Sequence, residues 1–323
     1  MPVSARSRRA LTVSVLGLGL LLSGCQLQST AGRPSDGPDT IGFVNGGTTQ
    51  FHTCLQRSIE QEARNNLVEL YTADSRQNSA KELANIEDMI ARDVDALILQ
   101  TVDADALKDH IAKARGADIP VFLTSVVPED TSDILGAVVV DLKGAGRLDA
   151  EWITEDAAGR PVKVGIVAGA PGAASDLLVG AFTSALPDTA EVVATEPGMY
   201  DPDKARRVAE SMIRDHPDLH YAFVANEEMG FAVRKAFDAA GARQVKIVTV
   251  NGTDEGLAAL KDGRFSATVA NSASETGELA VKNTIALLRN EQDKAEKVTK
   301  TPLRLVTEEN ADLVPLYCPE EDY

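Results

Sequence analysis

The chain has 323 residues, 44% hydrophobic and 25% charged, which is enough for two domains with separate cores and too apolar for a disordered or fibrous protein. Its 49 acidic residues outnumber 32 basic ones, for a formal net charge of −17. That balance repels nucleic acid, and no nucleic-acid partner is expected.

In chain order, the first 25 residues differ from the rest. Arg6, Arg8 and Arg9 precede an apolar run, Ala10 to Leu22, the size of an export-signal core and too short for an ordinary membrane span. The run ends in Leu22-Ser23-Gly24-Cys25, which resembles the bacterial lipobox, where the cysteine is lipidated and becomes the mature first residue. A plain secretory signal cleaved near the same place is the alternative. Ser7-Arg8-Arg9 with Leu11 matches a twin-arginine signal in part, which leaves the export route open. Residues 1–24 thus read as a lipoprotein signal peptide. Residues 25–40, rich in Ser, Gly, Pro and Asp without periodicity, read as a flexible tether. The expected location is the outer face of the cell membrane, or its periplasmic side, held by a lipid anchor only. Export also permits two fates for Cys54 and Cys318: a disulfide stapling the tail, 308–323, to the first helix, or two separately buried thiols.

From Ile41 onward, short apolar runs alternate with stretches of helical period, the pattern of an α/β chain with parallel sheets and crossover helices. Strands are predicted at 41–44, 67–71, 95–100, 120–124, 137–140, 163–168, 192–195, 221–225, 246–250 and 267–270. The first is followed by Asn45-Gly46-Gly47-Thr48-Thr49 and a helix start at Gln50, a turn whose free N–H groups suit an anion such as phosphate. No Walker lysine follows Gly46 and Gly47, so an NTPase is unsupported. Over Ser79 to Arg92, Leu83, Ile86, Met89 and Ile90 form one helical stripe. Asp201-Pro202 reads as a cap followed by proline at the first helical position, and Gly116 and Gly241 stand where helices stop. The stretches beginning "MIARDVDALILQ" and "MIRDHPDLHYAFVA" repeat helix end, strand, polar loop, helix, glycine and strand in the same order. Two similar lobes follow from that repeat, with ligand expected beyond the carboxyl ends of the strands.

Several separated motifs then carry a family likeness. "DSRQNSAKELANIEDMIARDVDALILQTVDADAL", "ANEEMGFAVRKAFDAAG", "VTVNGTDEGLAALKDGRFSATVANSASETG" and "PLRLVTEEN" resemble the ribose-binding type of periplasmic sugar-binding protein, related to the ligand-binding half of LacI-type regulators. The likeness runs from Ile41 to Asn310. It implies two Rossmann-like lobes joined by three hinge crossovers, near Val140-Asp141, Asn271-Ser272 and Lys300-Thr301. The lobes would comprise 41–140 plus 272–300, and 141–271 plus 301–307. The implied partners are a small polar solute, an ABC permease and its ATPase, with the receptor a monomer. A LacI-type regulator would need an N-terminal helix-turn-helix where this chain has an export signal. A module sensing ligand for a membrane kinase or chemoreceptor stays open as the alternative role.

The resemblance also implies a pocket. The loop after the first strand maps to Thr49, Phe51 and His52, and the ends of the third and fourth strands to Gln100, Thr124 and Ser125. The second lobe would contribute Asp176, Tyr200, Asn226, Asn251 and Asn271. Thr124-Ser125 replaces the Asp-Arg pair of ribose-type proteins, and Asp176 replaces a second arginine. Planar amides suit adjacent hydroxyls and aromatic faces suit the C–H side of a sugar ring, so the set still fits a sugar. Without the arginines, ribose itself is not expected. A different neutral sugar, a polyol, or an amine held by Asp176 is. Bland readings stand beside these: Asn226 as a helix cap, Asn251-Gly252 as a turn, Phe51 as a contact covering the helix start, and His52 pointing into solvent or serving as a pH-sensitive contact.

Catalysis finds no support. Asp103-Ala104-Asp105 and Asp201-Pro202-Asp203 open predicted helices, where aspartates cap, and the four histidines are scattered, so neither metal nor cofactor is expected. Ser175-Asp176 and Ser272 lack the Gly-x-Ser-x-Gly setting of a nucleophile.

Overall fold

The computed structural model describes residues 38–291, 295–314 and 317–319. The signal, Cys25 and residues 25–37 of the tether lie outside the described residues. The chain begins with β1 (Thr40–Asn45), α1 (Gln50–Asn65), β2 (Glu69–Asp74), α2 (Ser79–Ala91), β3 (Ala96–Leu99), α3 (Ala104–Arg115), β4 (Val121–Ser125) and β5 (Gly136–Val140). After α4 (Leu142–Ala157) the pattern recurs as β6 (Val162–Ala168), α5 (Ala173–Ala185), β7 (Ala190–Pro197), α6 (Pro202–Asp215), β8 (Tyr221–Val224), α7 (Glu227–Ala239), β9 (Lys246–Asn251), α8 (Asp254–Lys261) and β10 (Ala267–Ala270). It closes with α9 (Ala273–Leu288), β11 (Val298–Thr301), β12 (Arg304–Val306) and a 3-10 turn at Ala311–Leu313.

These strands form two six-stranded sheets, ordered β11-β5-β4-β3-β1-β2 and β12-β10-β9-β8-β6-β7. All pairings are parallel except β10 with β12. Each sheet has the same order, with its first strand between its second and third, so the internal repeat in the sequence is a repeat of topology. In the first sheet the inner strands β1, β3, β4 and β5 are buried on both faces and therefore read as continuous apolar runs. Ile41, Phe43 and Phe122 pack with Leu55 and Ile59 of α1 and Val281 of α9. The alternate residues Val44, Leu97 and Leu123 pack with Ile86 of α2 and Leu107 of α3. The second sheet has its own core around Ile166, Phe182, Phe223 and Phe237.

The chain passes between the sheets three times: from β5 into α4, from β10 into α9, and from β11 into β12. Its tail makes a further bridge. The turn Ala311–Leu313 packs on α8, Asp312 pairs with Lys261, and Arg304 donates to the Leu313 carbonyl, all on the second-sheet side. Beyond it, Ser274 N–H of α9 donates to Tyr317 O (3.1 Å), and Cys318 is disulfide-bonded to Cys54 of α1 with Cα atoms 4.8 Å apart.

Three strands depart most from the sequence expectation. The strand expected at 67–71 begins at Glu69 and extends to Asp74. The reason is the end of α1: Val68 N–H donates to Ala63 O and Leu67 N–H to Arg64 O, the paired bonds of a Schellman motif. Leu67 takes the left-handed position (φ 58) where glycine is usual, and is 93% exposed. The strands β11 and β12, Val-Thr-Lys-Thr and Arg-Leu-Val, were not expected. Both are short edge strands with too few apolar residues to stand out.

Candidate functional site

A cleft opens where the carboxyl ends of the two sheets meet. The first sheet contributes the loops after β1, β2 and β3 and the ends of β4 and β5, and the second the corresponding loops after β6, β7, β8, β9 and β10. Strand order reverses between β1 and β3 and again between β6 and β8, and loops diverging at such points leave a crevice between them.

On the first-sheet side, Gln100 and Ser125 line the cleft, are each 8% exposed, and have Oε1 and Oγ without a hydrogen-bond partner among the described residues. Gly46 makes room for the first of these: a Cβ there would stand 1.9 Å from Gln100 Oε1. Gly47 does the same for Gln77 and His52, since its Cβ would lie 2.5 Å from Gln77 Nε2 and 3.0 Å from His52 Cε1. The glycine turn thus seats polar side chains. His52 is buried, not solvent-facing, with Nδ1 2.8 Å from Thr49 Oγ1. Burial pushes its pKa down to about 4 against the opposing pull of the Asp74 charge and the Gln100 amide, so the ring is neutral near pH 7. Phe51 lines the cleft and also packs on the cluster of Cys54, Ala273 and Tyr317.

On the second-sheet side, Asn226 and Asn271 follow β8 and β10, Asn251 ends β9, and all three line the cleft. Asn226 also caps α7, its Oδ1 accepting from Met229 N–H (2.9 Å), so the bland reading and the cleft position coexist. The side chains of Asn251 and Asn271 have no hydrogen bond among the described residues. Tyr200 lies over Gly169, where a Cβ would stand 2.1 Å from its ring. Its phenol is pushed up to about 12, chiefly by burial and then by the Asp176 charge. Three cleft residues, Ser125 (φ 71), Tyr200 (φ 53) and Asn251 (φ 136), hold backbone conformations that side-chain-bearing residues rarely adopt. Such strain persists only where the surroundings impose it, and it concentrates at functional sites.

Two of the eleven expected residues do not line the cleft. Thr124 is fully buried and precedes Ser125 on β4; neighbours on a strand point to opposite faces, and Thr124 shares the Phe122 face against α1 and α9. Asp176, in the first turn of α5, is exposed, while the adjacent Ser175 faces the cleft and accepts from Gly169 N–H (3.1 Å). The residues that line the cleft include no Lys or Arg, and their one carboxylate, Asp103, caps α3 through Asp105 N–H (2.9 Å). Asp201 likewise caps α6 through Lys204 N–H (2.7 Å).

Residues 41–292 match the periplasmic binding protein domain. The chain belongs to the periplasmic binding protein family. The ribose import binding protein of Bacillus subtilis (strain 168) is 28% identical over 309 residues, covering 93% of this chain and 99% of that one. The arabinose transporter component of Shewanella sp. ANA-3, solved bound to L-arabinofuranose, superposes with a TM-score of 0.79 at 25% identity, covering 85% of this chain and 93% of that one. A solute binding protein from Mycobacterium smegmatis with bound glycerol gives a TM-score of 0.81 at 24% identity, covering 88% and 100%.

This periplasmic binding protein also carries two buried carboxylates behind its cleft loops that the sequence reading missed. Glu82 of α2 accepts from Val102 N–H (2.7 Å) and Thr101 Oγ1 (2.9 Å) and lies 2.8 Å from His110 Nδ1. Glu227 of α7 accepts from Gly252 N–H (3.0 Å), Thr253 N–H (2.8 Å) and Thr268 Oγ1 (2.7 Å). Burial raises the pKa of both. Each fixes the loop that presents cleft residues, Thr101 and Val102 on one side and Asn251 on the other. The signal for Glu82 was available: it stands at i, i+4 and i+7 with the buried Ile86 and Met89.

Proposed function

We propose that this protein is an extracytoplasmic receptor that captures a small neutral sugar or polyol in the cleft and delivers it to the permease and ATPase of an ABC importer. One observation carries the reading: Gln100 Oε1 and Ser125 Oγ are buried without a hydrogen-bond partner among the described residues, beside Asn251 and Asn271, in a cleft whose described lining includes no lysine or arginine. Hydroxyls of an uncharged solute satisfy such groups, whereas an anion would find no counter-charge there. The amine alternative loses its support with Asp176 outside the cleft. The ribose and arabinose relatives favour a sugar over a solute of another class. Ligand contacts are assigned to Thr49, Phe51, His52, Gln100, Ser125, Tyr200, Asn226, Asn251 and Asn271, with Phe51 and Tyr200 as the aromatic faces.

A solute held from both sides binds the closed arrangement better than the open one, and so shifts the population toward closure. Lipidation of Cys25 would keep the receptor beside its permease while leaving it monomeric. The test is mass spectrometry of solute retained through purification, followed by a thermal-shift screen of neutral sugars, polyols, sugar acids, sugar phosphates and amines. Stabilisation by neutral sugars or polyols alone is expected; stabilisation by sugar acids or phosphates alone would overturn the reading. Cys25→Ser is expected to release the protein from membranes.

A further inference from the structure

Helix α1 begins at the cleft, and its own end of the chain leaves it uncapped. The N-cap residue Thr49 makes no side-chain capping bond, its hydroxyl lying against His52 Nδ1, and the first turn holds no acidic residue. A helix start carries unpaired N–H groups and a partial positive charge of roughly half an elementary unit. The carboxylate that meets this one comes from the other sheet. Gln50 N–H donates to Oε2 of Glu228 (3.2 Å), and Glu228 lies in the first turn of α7. The same oxygen accepts from Nδ2 of Asn226 at 3.4 Å, and Asn226 lines the cleft.

Glu228 therefore stands between two helix starts that approach each other across the cleft. Without it, two like partial charges would face one another, with N–H groups of α1 left without an acceptor. Other caps, such as Asn78 on α2 or Asp103 on α3, join residues of one side and exist whether the cleft is open or shut. The Glu228 cap exists only when α1 and α7 meet. Its whole free energy therefore acts on the equilibrium between open and closed arrangements.

We infer that Glu228 is a closure latch, a helix cap delivered across the cleft that favours the shut arrangement. It is a positioning residue, acting through α1 and Asn226. The latch deepens the receptor reading, since closure serves capture, but its test needs no solute. Small-angle scattering would report compactness of the protein without added solute, and NMR-detected hydrogen exchange would report the Gln50 amide. Glu228→Ala is expected to raise the open-to-closed ratio about three- to tenfold, the range for losing one charged helix cap, and to speed Gln50 exchange. Glu228→Gln, which keeps an acceptor and loses the charge, is expected to fall between wild type and alanine. Glu255→Gln, at a nearby acid without a bond to α1, is expected to match wild type. A purely structural role would lower the melting temperature and leave the compactness of the folded protein unaltered.

Unchanged scattering and unchanged Gln50 exchange in both Glu228 variants would overturn the latch. If Glu228→Ala does not fold, Glu228→Gln decides by the same two readings. Failure of every sugar and polyol in the thermal-shift screen would count against the receptor reading alone.

Discussion

The Nδ1 of His52 lies 2.8 Å from the hydroxyl of Thr49, in the first turn of α1, where the residue is 7% exposed. Burial lowers its pKa from 6.5 to about 4, so in that interval the unfolded chain binds a proton that the folded chain does not. The resulting stability is complete above the unfolded value and is lost as pH falls through the folded one, about 3 kcal/mol in all. Urea titrations of wild type and His52→Gln near about pH 7.5 and about pH 4.5 are expected to show the variant losing less stability on acidification. Equal losses in the two proteins would contradict a neutral, buried ring.

Gln100→Ala removes a cleft Oε1 that has no hydrogen-bond partner among the described residues, and Asn251→Ala removes a cleft amide. Each is expected to weaken binding of the sugar or polyol found in the screen by about 5- to 150-fold, the cost of about 1–3 kcal/mol for a lost buried hydrogen bond. Cooperative melting should persist. Asp176→Ala, outside the cleft, is expected to change affinity less than about threefold, because surface substitutions usually stay within about 0.5 kcal/mol. Isothermal titration calorimetry separates the two outcomes.

The bond between Cys54 and Cys318 joins residues 264 apart in sequence. Replacing both cysteines by serine is expected to cost about 2–4 kcal/mol through the freedom it returns to the unfolded chain. Guanidinium titration of the double variant against oxidised and reduced wild type measures it, with reduced wild type expected to resemble the variant.

Leu67 offers a gain. It occupies a left-handed position at the end of α1 and buries almost nothing there, so Leu67→Gly is expected to stabilise the protein by about 0.5–1 kcal/mol. A shift of the urea midpoint upward with unchanged slope is the expected reading.

Much of the architecture was legible because strands buried on both faces leave apolar runs that no surface helix imitates. β1, β4 and β9 lie where their runs predict them. β11 and β12 were not legible, since an edge strand with polar residues has the composition of a loop. In the site, the asparagines at the ends of β8, β9 and β10 could be found by their position. The step from Asp176 to Ser175 could not, because side-chain direction at the start of α5 depends on where the loop delivers the helix. Glu227 and Glu228 look in sequence like surface acids of helices. Their roles come from loops and helix starts far along the chain, which pattern within a window does not register.

The disulfide has a consequence for proteolysis. Every helix and strand after α1 lies within the covalent ring that Cys54 and Cys318 close. A protease that cuts once at any exposed loop inside that ring cannot release a fragment, because both pieces stay joined through the sulfur bridge. The nicked protein would run as two bands on a gel only after reduction, and the strand ends that build the cleft would stay on one molecule after such a cut.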